Sequence, residues 1–277
     1  MSDQPIRIAV FGKTGAGKTS FIKRATGADL EVGDGAASAT KNIQQVEVSP
    51  NKVGGHTVFL IDTPGFNDTD LEEPTLFLNL AKWLANSHYN GERLNGAIFL
   101  QGINEVRVLK GEEDGVKLFE TIVGEQNFPH VIVATTMWDQ VEKEFGVRNE
   151  ENRAKLWHNL RAGDAKFVRF YNTENSAIEI VRGCLGFSET KFLLQKELIE
   201  NKGKVRKTTA AEFLYNSLGT KIEDIRVQVK ISGGNRKLRQ TIKKLNVQIN
   251  FGAAAWKAVA AAATTVGVAR VWVWDMQ

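Results

Sequence analysis

Gly12-Lys13-Thr14-Gly15-Ala16-Gly17-Lys18-Thr19 follows directly on the apolar run Ile6-Arg7-Ile8-Ala9-Val10-Phe11. Strand, glycine-rich loop and helix in this order are the context in which the pattern G-x-x-x-x-G-K-[ST] binds phosphate. The glycines let backbone N–H groups curl around phosphate oxygens, and the positive N-terminal end of the next helix reinforces the attraction. Gly12, Lys13, Thr14, Gly15, Ala16, Gly17, Lys18, Thr19 and the adjoining Ser20 are the candidate phosphate contacts. Lys18 is placed to reach the β- and γ-phosphates and is the first candidate catalytic residue. The Thr19 hydroxyl is placed to take one position on Mg²⁺. A glycine-rich turn without chemistry is the competing reading.

Around this stretch the composition is that of a globular protein. The chain has 277 residues, 42% hydrophobic and 25% charged, enough for one nucleotide-binding domain and an extension. Cys184 is the only cysteine, which rules out an intrachain disulfide and a cysteine-rich zinc site and suits a reducing interior. The four histidines are scattered without ligand spacing. Met1–Val10 carries no signal-peptide pattern. A cytoplasmic location is expected, with membrane contact, if any, peripheral. The net charge of +4 is concentrated between Lys191 and Lys244. A basic tail can meet an acidic partner, nucleic acid or an anionic membrane, although a solvated helix surface accounts for most of these lysines. No nucleic-acid partner is expected.

Up to about residue 185, β-rich runs alternate with helical patterns. Strands are predicted at Ile6–Phe11, Ile43–Val48, Thr57–Ile61, Gly96–Leu100, His130–Thr135 and Lys166–Phe170, and helices at Lys18–Thr26, Glu73–Ser87, Glu112–Val123, Asn149–Arg161 and Ser176–Cys184. This predicts an α/β fold, a three-layer sandwich with a mostly parallel sheet, whose ligands sit beyond the carboxyl ends of the strands. After Phe187 only helices are expected, at Ser188–Asn201 and Thr208–Leu218. Leu218, Ile222, Ile225 and Val229 then form a helical seam, interrupted by Ser232-Gly233-Gly234-Asn235 and resumed by Leu238, Ile242, Leu245 and Ile249. A helical hairpin, a candidate coiled coil, is the first reading and a kinked helix the second. The alanine-rich segment Phe251–Trp274 is interrupted by Lys257 and Arg270. A helix packed on the domain or lying at a membrane surface is favoured there over a spanning one. Trp272–Gln277 reads as an incomplete or alternative end. The expected division is a nucleotide-binding domain over 1–187 and a helical extension over 188–277.

Four further stretches extend the site. Asp62-Thr63-Pro64-Gly65 ends a strand about 45 residues after the loop. A carboxylate there holds Mg²⁺ through water, and the Gly65 N–H meets a γ-phosphate. Between the two lies the small-residue stretch Gly33–Lys41, where Thr40, preferred over Ser38, is the candidate to complete the metal shell and the second candidate catalytic residue. Its alternative is an ordinary surface threonine. Thr135-Thr136-Met137-Trp138-Asp139 ends another strand. The Asp139 carboxylate can accept from the ring N–H and exocyclic amine of guanine, whereas adenine leaves it unpaired. A helix N-cap is the alternative. Asn172, in Tyr171-Asn172-Thr173, either closes over the base or only makes a turn.

GKTGAGKT, DTPGF and TTMWD, in this order, resemble the GTP-binding proteins of the translation-factor-related class. Within it the chain looks most like the septin-like branch, which holds immunity-associated GTPases, chloroplast import-receptor GTPases and fungal G-domain proteins. The likeness covers about the first 185 residues, and TTMWD with a long helical tail points most to the fungal group. The resemblance implies a P-loop GTPase fold, GTP/GDP and Mg²⁺ as ligands, Thr19, Thr40 and Asp62 at the metal, and Gly65, Thr136, Asp139 and Asn172 at the nucleotide. It also implies pairing of two copies through the nucleotide face. An effector protein or a membrane surface is expected to engage the tail.

Two departures qualify this. Thr136 and Met137 stand where the guanine motif has asparagine and lysine, so Met137 or Trp138 must supply the apolar cover that a lysine stem gives. Phe66 stands where a glutamine often orients water. Slow intrinsic GTP hydrolysis, completed by a second copy or a partner, is therefore expected. Arg107 is a candidate for the completing group, with a surface arginine as its alternative. The competing functional class is a nucleotide-binding assembly scaffold with little or no hydrolysis. An ATP-using kinase or ATPase is a third option, which depends on Asp139 being a cap.

Overall fold

The computed structural model describes residues 4–29, 43–65, 73–105, 108, 110–231, 240–244 and 246. Thr40, Ser38, Phe66, Arg107, the Ser232–Asn235 interruption, Leu238, Leu245, Ile249 and the segment Phe251–Trp274 lie outside the described residues.

The apolar run and its loop form β1 (Ile6–Gly12) and α1 (Lys18–Thr26). β2 (Gln44–Val48) and β3 (Val58–Asp62) follow, then α2 (Glu73–Tyr89), β4 (Gly96–Gly102) and α3 (Lys110–Val123). β5 (Val131–Thr136), α4 (Lys143–Arg153), α5 (His158–Ala162), β6 (Lys166–Arg169) and α6 (Glu174–Arg182) complete the alternation. The six strands form one sheet in the order β2-β3-β1-β4-β5-β6, in which only β2 runs antiparallel. This is the expected mostly parallel α/β sheet.

Side chains alternate across β1. Ile8 and Val10 face a core shared with Phe21 and Ile22 of α1 and with Ile178 and Val181 of α6. Ala9 and Phe11 face a core with Phe77 of α2 and Phe119 of α3. Strands buried on both faces need apolar residues at every position, which is why β1, β4 and β5 read as continuous apolar runs. The register sets Ala9 beside Ile61 and Gly12 beside Leu100, so the ends of β1, β3 and β4 lie at one edge of the sheet.

Three helices depart from the expected bounds. The helix expected over Asn149–Arg161 begins earlier, as α4, and continues through a 3₁₀ turn at Ala154–Trp157 into the short α5. The buried residues of α4 are Gly146, Asn149 and Arg153, so its inner face carries no hydrophobic period for the sequence to display. The helix expected from Ser188 starts at Leu193, as α7 (Leu193–Glu200). Thr190 instead bridges Leu94, its N–H donating to the Leu94 carbonyl at 2.7 Å. The helix expected over Thr208–Leu218 does not stop at Leu218. It runs as α8 (Thr209–Ile231) through the first half of the predicted seam.

Leu194 and Leu198 of α7 and Leu214, Leu218 and Ile222 of α8 are buried in the core that holds Phe11 and Phe119. The core therefore continues past residue 187, each such side chain contributing about 1.5–3 kcal/mol. Ile242 packs against the same cluster. Among the described residues no helix is long and apolar enough to cross a membrane.

Candidate nucleotide-binding site

The phosphate loop is shaped by its neighbours. Gly12 has φ +147°, and a Cβ there would lie 2.5 Å from the Leu100 carbonyl oxygen, so no larger residue fits between β1 and β4. Ala16 N–H donates to Lys13 O at 3.0 Å and closes the turn. Gly17, with φ +89°, precedes α1, whose N-terminus has no side-chain cap. That leaves the first-turn N–H groups facing the loop. Lys18 is only 7% exposed. A buried ammonium needs acceptors, and Lys18 Nζ donates to Gly12 O at 3.0 Å and Lys13 O at 3.1 Å, folding back over the loop.

Asp62, at the end of β3, is buried. The next residue is fastened to β1: Thr63 Oγ1 donates to Val10 O at 2.7 Å. This brings Gly65 onto the phosphate loop. A Cβ at Gly65 would lie 2.3 Å from Thr14 Oγ1, 2.6 Å from Thr14 N and 2.9 Å from Lys18 Nζ. The cradle therefore admits only glycine at 65. Its donor set, the Lys18 ammonium with hard oxygens from Thr19 and Asp62, fits a metal-bound polyphosphate.

β5, which leads to Asp139, ends beside the same loop. Thr136 is 1% exposed, and its hydroxyl donates to Ala16 O at 2.8 Å. This hydroxyl fastens the loop itself. Met137 adopts a left-handed backbone with φ 66°. Its methyl would stand 3.5 Å from a Cβ at Gly17, so Met137 supplies the apolar cover on the phosphate loop. Trp138 turns the other way. Its Nε1–H lies 3.2 Å from Thr135 O and 3.1 Å from Thr135 Oγ1, and the Arg169 guanidinium lies 4.3 Å above its ring. Arg169 Nε also donates to Glu150 Oε2 at 3.0 Å, and its hydrogen bonds to Glu150 raise the arginine's pKa.

Asp139 lies in the one-turn 3₁₀ segment Trp138–Gln140. Asn172 Nδ2 donates to Asp139 Oδ2 at 2.9 Å, and Arg24 Nε of α1 donates to Asn172 Oδ1 at 3.3 Å. The segment after β4 reaches the same edge. Asn104 Nδ2 donates to Gln140 Oε1 at 3.2 Å, and Glu105 lies 3.9 Å from Lys13 Nζ. A buried ion pair backs this segment. Arg153 Nε lies 3.0 Å from Glu112 Oε2, and Arg153 Nη2 donates to Glu105 O at 2.9 Å. Desolvation raises the Glu112 pKa against the pull of Arg153.

Of the candidate residues, Gly12 to Ser20, Asp62, Gly65, Thr136, Asp139 and Asn172 all lie at the carboxyl edge of the sheet. Thr40 is outside the described residues. Sequence reading missed Arg24, which follows the phosphate-loop motif on α1 but belongs to no motif itself, and the Glu150–Arg169–Trp138 cluster. Trp138 was considered only as cover for the base.

Residues 7–114 match the sequence profile described as 50S ribosome-binding GTPase. No curated protein sequence matches the chain. Among solved structures, that of the chloroplast translocon components atToc33 and psToc159, for whose GTPase activity dimerisation is important, is 15% identical with a TM-score of 0.50, covering 65% of this chain and 82% of that one. Toc33 from Arabidopsis thaliana, in complex with Mg²⁺ and GMPPNP, is 16% identical with a TM-score of 0.48, covering 65% and 83%. The bacterial selenocysteine-specific elongation factor EF-Sec is 17% identical with a TM-score of 0.46, covering 72% of this chain and 29% of that one. Over residues 7–114 the chain is thus similar to a GTPase profile, and its mostly parallel α/β sheet is consistent with a P-loop NTPase domain.

Proposed function

We propose that the chain is a GTP-binding switch that hydrolyses GTP slowly alone and faster when a second copy or a partner completes the site. The observation that carries this reading is the seat of Gly65 against Thr14 and Lys18. A loop so close to the phosphate-binding lysine must respond to whether a γ-phosphate is present. Asp139, held beside the same loop through Thr136, directs the choice to guanine.

Mg²⁺ would supply positive charge that offsets the charge of the bound phosphates. Thr19, Asp62 and Thr40 are the residues that would hold it. Lys18 and the loop N–H groups hold the phosphates and stabilise charge that develops as water attacks the γ-phosphorus. Phe66 has no polar group to orient that water, which makes the isolated chain slow.

The septin-like branch, with the fungal group nearest in pattern, remains our reading of the chain's place among GTPases. Pairing through the nucleotide faces is the favoured source of the completing group, with Arg107 as one candidate. The extension after residue 187 is proposed to carry the nucleotide state to an effector or a membrane surface, in a cytoplasmic protein. A scaffold with no useful turnover is the second reading, favoured by Phe66. Single-turnover GTP hydrolysis across a range of protein concentrations separates the two. A rate that rises with concentration supports the dimer-activated switch. No hydrolysis at any concentration supports the scaffold.

A further inference from the structure

The geometry points to Arg24 and Asn172 as a positioning pair that aims the Asp139 carboxylate at the base, an inference that rests on the guanine reading above. Asp139 is exposed within a single 3₁₀ turn, so its own backbone does little to fix the carboxylate. Asn172 holds one side of it through Nδ2 at 2.9 Å. Asn172 has φ 55°, a left-handed conformation that asparagine tolerates better than most residues and that turns the chain between β6 and α6. Thr173 then caps α6 by accepting from Ser176 N at 3.2 Å, so the turn is anchored on its far side.

An asparagine amide can face either way, and Arg24 decides which. A guanidinium only donates, so it requires the amide oxygen, and the amide nitrogen must then face Asp139. The contact of Arg24 Nε with Asn172 Oδ1 at 3.3 Å therefore sets the donor that Asp139 receives. Arg24 sits in the last turn of α1, the helix that begins at the phosphate loop. The base-reading carboxylate is thus referenced to the phosphate-binding helix through two side chains.

A carboxylate has about four lone-pair positions, so one bond from Asn172 leaves capacity for a base. Guanine presents two adjacent donors, the ring N–H and the exocyclic amine, and both are met only if the carboxylate plane is held. A carboxylate that swings still meets the ring N–H but loses the amine. Hypoxanthine keeps the ring N–H and lacks the amine. The pair should therefore govern the preference for guanine over hypoxanthine more than affinity as a whole.

The test is titration of GDP and IDP, each with Mg²⁺, against the full chain and three variants. Arg24→Ala and Asn172→Ala are expected to weaken GDP by about fivefold to tenfold, the scale of one ordinary hydrogen bond, and IDP by much less. The GDP/IDP preference then shrinks. Arg24→Lys, which keeps the charge and a donor, is expected to retain part of it. Equal loss of both nucleotides, or no loss of either, overturns the positioning role. A wild-type chain that binds GDP, IDP and ADP alike overturns the guanine reading itself and this inference with it.

Discussion

Thr136 Oγ1 donates to Ala16 O at 2.8 Å, a bond between residues 120 apart that ties the end of β5 to the glycine-rich loop. Both groups are buried, so losing the hydroxyl leaves a carbonyl unsatisfied, at about 1–3 kcal/mol. Thr136→Val keeps the shape and removes the donor. It is expected to speed dissociation of a fluorescent GDP analogue by roughly tenfold, the kinetic equivalent of about 1.4 kcal/mol. An unchanged rate would mean that the two loops are held together by other contacts.

Lys18 folds over the loop carbonyls, with Nζ 3.0 Å from Gly12 O. Lys18→Ala removes the charge that meets the β- and γ-phosphates. Binding of the triphosphate is expected to disappear in equilibrium titration. Normal affinity would overturn the assignment of the phosphate loop.

Asp139 is the residue proposed to select the base. Asp139→Asn replaces an acceptor by a group that also donates, so guanine's two donors meet a mismatch. Preference is expected to move away from guanine, read as the ratio of GDP to XDP affinity. Unchanged selectivity would place base reading elsewhere.

Two histidines set a pH response. Desolvation lowers the pKa of His130 from 6.5, and its ring packs against Phe187. Desolvation, then the charges of Lys191 and Arg93, lower that of His88. His88 Nδ1 lies 2.9 Å from Arg93 Nη1, an arrangement in which a neutral ring accepts. Below pH 6.5 the unfolded chain takes up protons that these folded sites refuse, so stability falls as pH drops from 6.5 through the lowered values. Urea unfolding at a series of pH values is expected to show this loss, reduced in His130→Gln. A flat profile across that window would contradict it.

The sequence disclosed the site wherever glycine or a buried apolar run was obligatory. Gly12 and Gly65 are fixed by backbone contacts that no other residue survives, and β1 reads as a strand because both faces are covered. It was silent where polar side chains do the packing. α4 buries Asn149 and Arg153, so its start at Lys143 has no hydrophobic signature. The choice between Met137 and Trp138 as cover depended on a left-handed backbone at Met137 and on an arginine, Arg169, 32 positions beyond that methionine along the chain. Arg24 joins the site only because α1 and the turn after β6 meet in space.

The central claim is that this loop, with Asp62, Gly65 and Asp139, binds guanine nucleotide. Its most direct test is competition: the full chain loaded with labelled GTP and Mg²⁺, challenged with unlabelled GTP or ATP. Unlabelled GTP should displace the label at equal concentration while ATP leaves it bound. Displacement by ATP at equal concentration would contradict the account.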